Sequence, residues 1–374
     1  MQKCDFTVVG AGLVGMAIAY GLSRQGLSVQ VLDEGDTAFR ASRGNFGLLW
    51  VQGKGYKMAP YTGWTRASVA LWPELAAMLL ADTGIEVHLK QPGGFQLCLS
   101  GAELAEEVHM LRSIQAAQGG DYPFEVLEGA QLRKRLPGVG SGVVGACYSP
   151  MDGHVNPLKL LHALHAACKR RGVQILNGRK VTGISPLASG YRIETNEGPA
   201  TSARLVLAAG LGNKPLGAML GHQVPIESSR GQILITERMQ PFLHHPTTYV
   251  RQTDEGTVQL GDSAERVGLD DRTSASVMAL IAARAVTCFP LLENVRLVRA
   301  WGALRVLSPD GAPIYEELNN APGCYLVSCH SGVTLAAAHA LKLARWIAGT
   351  EPVTQVSAFT LSRFSPAQDL AHVS

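Results

Sequence analysis

The sequence predicts a protein of mixed α/β and α+β class, in which a parallel sheet is interleaved with a second domain of antiparallel strands. Residues 6–33 read as a strand, a glycine-rich turn, a helix and a second strand. Residues 204–210 form an apolar run ending in small residues, which is typical of a central parallel strand. The runs at 231–235 and 258–261 alternate as antiparallel strands do. At 374 residues, we expect two intimately joined domains.

The composition excludes several classes of protein. Hydrophobic residues are 46% of the chain and charged residues 17%, so we expect a large packed core rather than disorder. The net charge is +3, with no basic run, so a nucleic-acid partner is not expected. We expect neither a signal peptide nor a transmembrane segment. The seven cysteines are scattered without a CxxC pair, which predicts reduced thiols, no metal site and a cytoplasmic location.

The opening unit carries the strongest motif. Residues 6–9 predict a strand, the Gly-Ala-Gly-Leu-Val-Gly run at 10–15 a turn, residues 16–25 a helix, and residues 28–32 a strand that ends at Asp33. A GxGxxG run between a strand and a helix, with an acid about 20 residues further on, is the fingerprint of a Rossmann-like dinucleotide site.

Each motif residue has a physical role in such a site. Gly10 permits the tight turn, Gly12 lets a pyrophosphate approach the backbone, and Gly15 lets the helix pack closely on the strand. The carboxylate of Asp33 could accept hydrogen bonds from ribose hydroxyls, which disfavours a 2′-phosphate and hence NADP. The motif alone does not show whether the dinucleotide is NAD or FAD.

The segment after the second strand favours a flavin. Residues 41–47 are small, polar and glycine-rich, and the chain then becomes apolar at 48–50. A flavin ring needs closely approaching backbone of this kind, whereas a simple NAD domain does not. An ordinary surface loop is the alternative.

The remaining elements predict a discontinuous domain organisation. Residues 157–171 and 335–348 have helical patterns, and residues 64–80 form a further amphipathic helix within the first insertion. We therefore predict a nucleotide-binding domain from residues 1–52, 151–221 and 322–374, and a substrate-binding domain from residues 53–150 and 222–321.

Several motifs, taken in order, resemble one family. They are the 10–15 fingerprint with Asp33, the 41–47 loop, Asp-Gly-His-Val-Asn-Pro at 152–157, Ala-Ala-Gly at 208–210, Arg-Gly-Gln at 230–232, the run from Trp301 to Ile314, and Ser-Gly-Val-Thr at 331–334. This pattern resembles the superfamily of glycine oxidase, sarcosine oxidase and D-amino-acid oxidase, which are FAD-dependent amine oxidoreductases. Residues 43–55 are similar, more narrowly, to β-subunits of D-hydroxyproline dehydrogenase, opine oxidase and hydrogen cyanide synthase.

The resemblance implies which residues bind FAD. Ser42 and Arg43 would contact phosphate, Val181 adenine, and the amides of residues 332–334 the N1–C2=O edge of the flavin. Sarcosine-oxidase-like relatives link the flavin through a Cys, which is absent from residues 301–310. Dimethylglycine-dehydrogenase-like relatives use a His in the early loop, where Asn45 or Phe46 stands here, so we predict noncovalent FAD. The predicted cofactor-binding set is Gly10, Gly12, Leu13, Val14, Gly15, Asp33, Glu34, Ser42, Arg43, Asn45, Gly47, Leu48, Val181, Ala209, Gly210, Gly332, Val333, Thr334 and Leu335.

The resemblance also implies the chemistry. A small amino or imino acid, of D-hydroxyproline, opine or glycine type, would lose a hydride from its α-carbon to flavin N5. Arg305 is the predicted catalytic residue, because it matches the position that anchors the substrate carboxylate in relatives. Partner flavin or iron–sulfur subunits would then accept the electrons.

Other roles remain open for several residues. Arg305 could instead form a structural salt bridge, and His330 is better explained as a spacer or packing residue than as an acid or base. Trp50 and Trp301 could line the substrate pocket or belong to the core. At the level of function, a non-catalytic electron-transfer subunit and an NAD-dependent dehydrogenase are the alternatives.

Overall fold

The computed structural model describes residues 4–35 and 41–364. Within them, no helix is long and apolar enough to cross a bilayer. The strands, in chain order, are β1 Cys4–Val9, β2 Val29–Asp33, β3 Leu48–Leu49, β4 Gly94–Cys98, β5 Glu125–Glu128, β6 Gly145–Ser149, β7 Gly153–His154, β8 Gln174–Asn177, β9 Val181–Leu187, β10 Gly190–Thr195, β11 Ala200–Leu207, β12 Glu227–Arg238, β13 Val250–Gln252, β14 Thr257–Leu260, β15 Leu297–Leu307, β16 Ile314–Glu317 and β17 Cys324–Ser328.

The helices alternate with these strands in the first part of the chain and again at its end. They are α1 Leu13–Arg24, α2 Ala59–Thr83, α3 Gly101–Ala117, α4 Gly129–Arg135, α5 Pro157–Arg170, α6 Asn213–Met219, α7 Ala275–Cys288, α8 Ala336–Ala338 and α9 Ala344–Ala348. A π-helical turn, His339–Leu343, joins α8 to α9, so the predicted helix at 335–348 forms with one widened turn. Short 3₁₀ turns occupy Gly210–Gly212, Pro290–Leu292, Thr354–Phe359 and Leu361–Phe364.

The larger sheet confirms the predicted α/β class. Its order is β16-β17-β11-β1-β2-β8, with β10 paired to β11 and β9 paired to β10. Strands β17, β11, β1, β2 and β8 run parallel, and Val8 lies between Val31 and Val206 in register. These three valines are fully buried, as expected for a parallel sheet covered on both faces. The carboxyl ends of the parallel strands therefore share one edge, where ligands bind in such folds.

The insertions form the predicted antiparallel sheets. One has the order β13-β14-β12-β15 and the other β4-β6-β5. Phe95 of β4 and Leu234 of β12 belong to the same apolar core, so the two small sheets pack as one unit. In that unit β15 is an edge strand, and its Val306 packs in one core with Leu207 of β11 in the large sheet.

Two elements cross the predicted domain boundaries. Helix α2 comes from the first insertion, yet its Trp64 and Trp72 pack in the core of the large sheet together with Met16 of α1. Strand β16 lies in the large sheet, although we predicted residues 222–321 to belong to the second domain. In both cases the partner is distant in the sequence, since α2 shares a core with α8 and β16 pairs with β17.

Candidate active site

The glycine turn after β1 is packed against the neighbouring strand. Gly10 has φ +109°, and a Cβ there would lie 2.5 Å from the carbonyl oxygen of Ala208. A Cβ on Gly15 would lie 2.0 Å from the carbonyl oxygen of Gly10. Only glycine fits these positions, so the backbone of the turn comes to the sheet edge without side chains in front of it.

Side chains from three segments hold this turn. Asp33 accepts hydrogen bonds from the amides of Ala11, at 2.8 Å, and Gly35, at 2.9 Å. Ser42 Oγ accepts from the amide of Leu13 at 2.9 Å, and His165 Nε2 donates to the carbonyl oxygen of Ala11 at 2.9 Å. The Asp33 carboxylate therefore braces the turn.

A long cavity starts at this turn. Its volume is about 1050 Å³, and it runs from Glu34 and Lys180 past the glycine turn to His330 and Gly332. Lys180, Lys214 and Arg266 place cationic side chains on its wall. The cavity joins the dinucleotide fingerprint to the late glycine turn, as one extended ligand requires.

The lining contains many of the predicted cofactor residues. They are Gly10, Gly12, Leu13, Val14, Glu34, Ser42, Asn45, Ala209, Gly210 and Gly332, with His330 from the predicted substrate pocket. The predicted residues off the lining are Gly15, Asp33, Arg43, Gly47, Leu48, Val181, Val333, Thr334, Leu335, Trp50, Trp301 and Arg305. Of the two acids at the end of β2, Glu34 rather than Asp33 lines the cavity. Next to Val181, it is Lys180 that lines it.

Thr334 ties the early loop to the late turn. Its hydroxyl accepts a hydrogen bond from the amide of Trp50 at 3.1 Å and donates to the carbonyl oxygen of Leu48 at 3.3 Å. Its own carbonyl oxygen accepts from Ser68 and Trp72 of α2. The two segments are thus fixed side by side, although they are about 280 residues apart in the sequence.

The late turn offers backbone donors. The amides of Gly332, Val333 and Thr334 have no protein acceptor among the described residues, and they precede the helical segment 336–348. Gly332 lies on the cavity wall. Free N–H groups at the start of a helix attract negative charge.

A group of ionisable side chains, which we call the charged cluster, lies at the same end. It consists of Lys54, Asp262, Arg305 and His330, and charge interactions among them shift the pKa values of Lys54, Asp262 and His330. Arg305 donates to Asp262 Oδ2 at 2.7 Å and to the carbonyl oxygen of Ser263 at 2.5 Å. Its strand neighbours Leu304 and Val306 line the cavity, so strand alternation turns Arg305 to the other face of β15.

His330 connects the charged cluster with the cavity. It lines the cavity, and burial together with the charges of Lys54 and Arg305 holds the pKa of its imidazole well below the usual range. His330 is therefore neutral at pH 7. Burial, followed by the nearby Arg305 guanidinium, lowers the pKa of Lys54 to about 8.

The loop that carries Lys54 is fixed by a buried carboxylate. Asp152, which is fully buried, accepts from the amide of Val51 at 2.6 Å and from Gln52 Nε2 at 2.6 Å. Burial raises the pKa of Asp152 to about 7. Asp152 belongs to the 152–157 motif, but no role could be assigned to it or to Lys54 from spacing alone.

The two predicted pocket tryptophans have different neighbours. Trp50 is 9% exposed, and a Cβ on Gly94 would lie 2.6 Å from its ring. Trp301 Nε1 donates to the carbonyl oxygen of Gly44 at 3.4 Å. The Trp50 ring therefore lies against β4, and only Trp301 holds the backbone that leads to Asn45, whose side chain accepts from the amide of Gly47 at 2.7 Å.

Gly231 on β12 leaves the space that the Arg305 guanidinium occupies. A Cβ at Gly231 would lie 2.3 Å from Arg305 Nη2. We expect Gly231→Ala to push the flexible guanidinium aside at little cost in stability, and to raise KM for a carboxylate-bearing amine more than tenfold. Steady-state kinetics and thermal unfolding measure the two effects. Gly63→Ala, which meets no atom within 4 Å, is the control. Unchanged KM in Gly231→Ala would show that Arg305 does not hold the substrate.

The residues on the wall suit FAD. A side-chain-free turn can receive a pyrophosphate, Glu34 can accept from a ribose, and free amides face the opposite end of the cavity. The volume and length suit an extended dinucleotide rather than a compact ligand.

Comparison with known proteins agrees with this geometry. The model of the family described as DAO, FAD dependent oxidoreductase, matches residues 5–346. The chain is 44% identical over 369 residues to an opine oxidase subunit from Agrobacterium tumefaciens strain Ach5, covering 98% of this chain and 100% of that protein. It is 28% identical to hydrogen cyanide synthase subunit HcnC of Pseudomonas aeruginosa, covering 97% and 96%. Glycine oxidase of Geobacillus kaustophilus has the same fold, with a TM-score of 0.90, 24% identity, and coverage of 98% and 100%.

Proposed function

Because this chain belongs to the DAO family of FAD-dependent oxidoreductases, we propose that it oxidises a small amine that carries a carboxylate beside the nitrogen. Membership of that family makes FAD the cofactor and sets aside the NAD-dependent alternative. It also confirms the predicted resemblance and the reaction class, oxidation of amino-acid C–N donors.

One observation supports the proposal that the substrate carries a carboxylate. The cavity that suits FAD ends at His330, and the positive charges of Lys54 and Arg305 act on that residue strongly enough to lower the pKa of its imidazole. A cationic group next to the reacting end of a cofactor site recognises an acid. Substrates of D-hydroxyproline, opine and glycine type all carry that acid next to an amine.

The protein's contribution is position and charge. Bound in this cavity, FAD would supply the acceptor for the hydride that leaves the substrate α-carbon. Arg305 orients the carboxylate and so fixes the α-carbon. The amides of residues 332–334 stabilise negative charge that develops at this end of the cavity. No side-chain base is needed when the amine enters neutral, which agrees with the neutral His330.

The similar chains suggest how the electrons leave. The opine oxidase chain from Agrobacterium tumefaciens and HcnC are each named as one subunit of a larger enzyme. We therefore propose a catalytic subunit in a heteromeric, cytoplasmic dehydrogenase that holds FAD noncovalently and passes electrons to partner flavin or iron–sulfur subunits.

Anaerobic reduction tests this function. The purified yellow protein is mixed with D-hydroxyproline, an opine or glycine, and absorbance is followed at about 450 nm, where oxidised flavin absorbs. We expect fast bleaching with at least one amine and slow recovery in air. Denaturation should release all the flavin from the polypeptide. Bleaching by dithionite but by none of the amines would contradict a catalytic role and favour the electron-transfer alternative.

A further inference from the structure

One face of helix α2 holds the late turn, residues 331–334, in place. Tyr61, Ser68 and Trp72 are spaced along α2 so that their side chains project from the same face of the helix. All three side chains are buried, and each donates a hydrogen bond to the late turn. Gly332, within that turn, lines the cofactor cavity. Helix α2 therefore supports the cavity wall from behind.

Ser68 interrupts the hydrogen-bond pattern of the helical segment that follows the turn. In a regular α-helix the amide of Ala338 would donate to the carbonyl oxygen of Thr334, four residues earlier. Here the Ala338 amide donates to Ser68 Oγ at 3.1 Å, and the same hydroxyl donates to the Thr334 carbonyl oxygen at 2.7 Å. The Ser68 hydroxyl thus stands between two groups that a regular turn would join. A side chain inserted in this way distorts the start of a helix.

Thr334 is held at both of its polar ends. Its carbonyl oxygen accepts from Ser68 and also from Trp72 Nε1 at 3.1 Å. Its hydroxyl binds the amide of Trp50 and the carbonyl oxygen of Leu48 in the early loop. The direction of the peptide groups in the late turn is therefore set by α2 as well as by the early loop.

The amides of the late turn depend on this arrangement. Those of Gly332, Val333 and Thr334 have no acceptor among the residues that the structure describes. Donors that are fixed in advance stabilise charge that develops beside them, because they need not reorient. Reduction adds electrons to a bound flavin, so donors fixed at this wall favour its reduced state.

We propose that Ser68 is a positioning residue for the flavin, and that its inserted hydroxyl keeps the late turn open so that the amides of residues 332–334 stabilise the reduced cofactor. Without the hydroxyl, the Ala338 amide can close a regular turn onto the Thr334 carbonyl oxygen, which moves these amides out of place. The inference rests on the proposed function, in which the same amides stabilise negative charge.

A redox equilibrium tests the proposal without any amine substrate. The FAD-loaded protein is reduced slowly under anaerobic conditions beside a dye of known potential, and the two absorbances give the equilibrium constant between them. The variants are Ser68→Ala and Trp72→Phe, which removes the second donor to the Thr334 carbonyl oxygen. Thr65→Val is the control, because it removes a buried hydroxyl from α2 that makes no hydrogen bond to the late turn.

We expect Ser68→Ala to move the equilibrium at least tenfold toward oxidised flavin, which is a fall of about 30 mV for a two-electron couple. Trp72→Phe should shift it in the same direction by a smaller factor, because the Ser68 hydroxyl remains inserted. Thr65→Val should stay within twofold of wild type. The flavin absorbance of each variant reports that the cofactor is still bound.

Two outcomes would overturn the role of Ser68. One is an equilibrium constant that stays at the wild-type value in Ser68→Ala, which includes the case in which oxidised and reduced FAD are bound equally more weakly. The other is an equal shift in Thr65→Val, which would make the effect one of packing. Failure of the proposed function looks different, since no amine would then bleach the flavin while the dye equilibrium could still shift in Ser68→Ala.

Discussion

Replacing Arg305 with methionine is expected to lower kcat/KM for a carboxylate-bearing amine by about a hundredfold or more. The change removes a group that can hold a carboxylate through two parallel N–H donors, and it leaves Asp262 as an unpaired negative charge beside the substrate. Steady-state and single-turnover anaerobic kinetics measure the effect. Arg305→Lys should recover only part of the loss, because an ammonium keeps the charge without the planar fork.

The control for this experiment lies on the same stretch of chain. Arg296 is exposed just before β15 begins, so Arg296→Met removes a similar cation outside the charged cluster. Its kcat/KM should stay within twofold of wild type. If Arg305→Met also retains turnover, Arg305 is a structural residue or the chain is an electron-transfer subunit. Retained FAD absorbance in the variant separates lost chemistry from lost cofactor.

Replacing Arg230 with methionine should destabilise the protein by about 3 to 5 kcal/mol. The Arg230 side chain is only 7% exposed and pairs with Glu265 at 2.6 Å and with Asp270 at 3.2 Å. Its removal leaves the Glu265 carboxylate without a cation in a largely buried place. Glu265 also accepts from Ser263, whose carbonyl oxygen holds Arg305. Denaturant unfolding should therefore show lost stability, and kinetics a raised KM.

Arg272→Met provides the matched comparison. Arg272 also pairs with Asp270, at 2.9 Å, but its side chain is 84% exposed. Solvent screens such a pair, so its loss should cost far less than the loss of Arg230. Equal losses of stability in the two variants would contradict a structural role for the buried pair.

The same pair should be visible in the pH dependence of stability. The hydrogen bond from Arg230 holds the pKa of Glu265 below its ordinary value of 4.5. A lowered carboxyl pKa adds stability above the unfolded-state pKa of about 4.3, and this stability is lost as the pH falls through the folded-state value. The difference in unfolding free energy between wild type and Arg230→Met should therefore shrink below about pH 4.5.

Local patterns made the fold predictable. The strand–turn–helix unit from residue 6 and the helix from Pro157 each carry their own periodicity and end signals, so they form as predicted. The domain limits were harder, because β16 and α2 join the large sheet through packing between distant segments. The local sequence of α2 or β16 does not indicate which distant segment the element will pack against.

The charged cluster shows why a site is harder to predict than a fold. Arg305 was recognised from a resemblance, but its partner Asp262 lies 43 residues earlier. Lys54 lies in a Gly-Lys-Gly loop that suggests only a turn. Asp33 followed the motif in sequence, yet its short side chain reaches the amide of Ala11, and Glu34 faces the cavity instead. Which side chains form ion pairs and which face the cavity depends on contacts between segments that are distant in the sequence.

The ion pair between Arg305 and Asp262 means that a carboxylate of the protein competes with any bound acid for the Arg305 guanidinium. In the proposed site, a substrate acid would reach the guanidinium only by displacing the Asp262 carboxylate, which belongs to the same chain and is thus present at high effective concentration. Weakly binding anions such as chloride or acetate would not displace Asp262 from the guanidinium. If Arg305 holds the substrate carboxylate as proposed, a substrate whose other groups are also bound would displace Asp262, and the ion pair would then exclude common small ions.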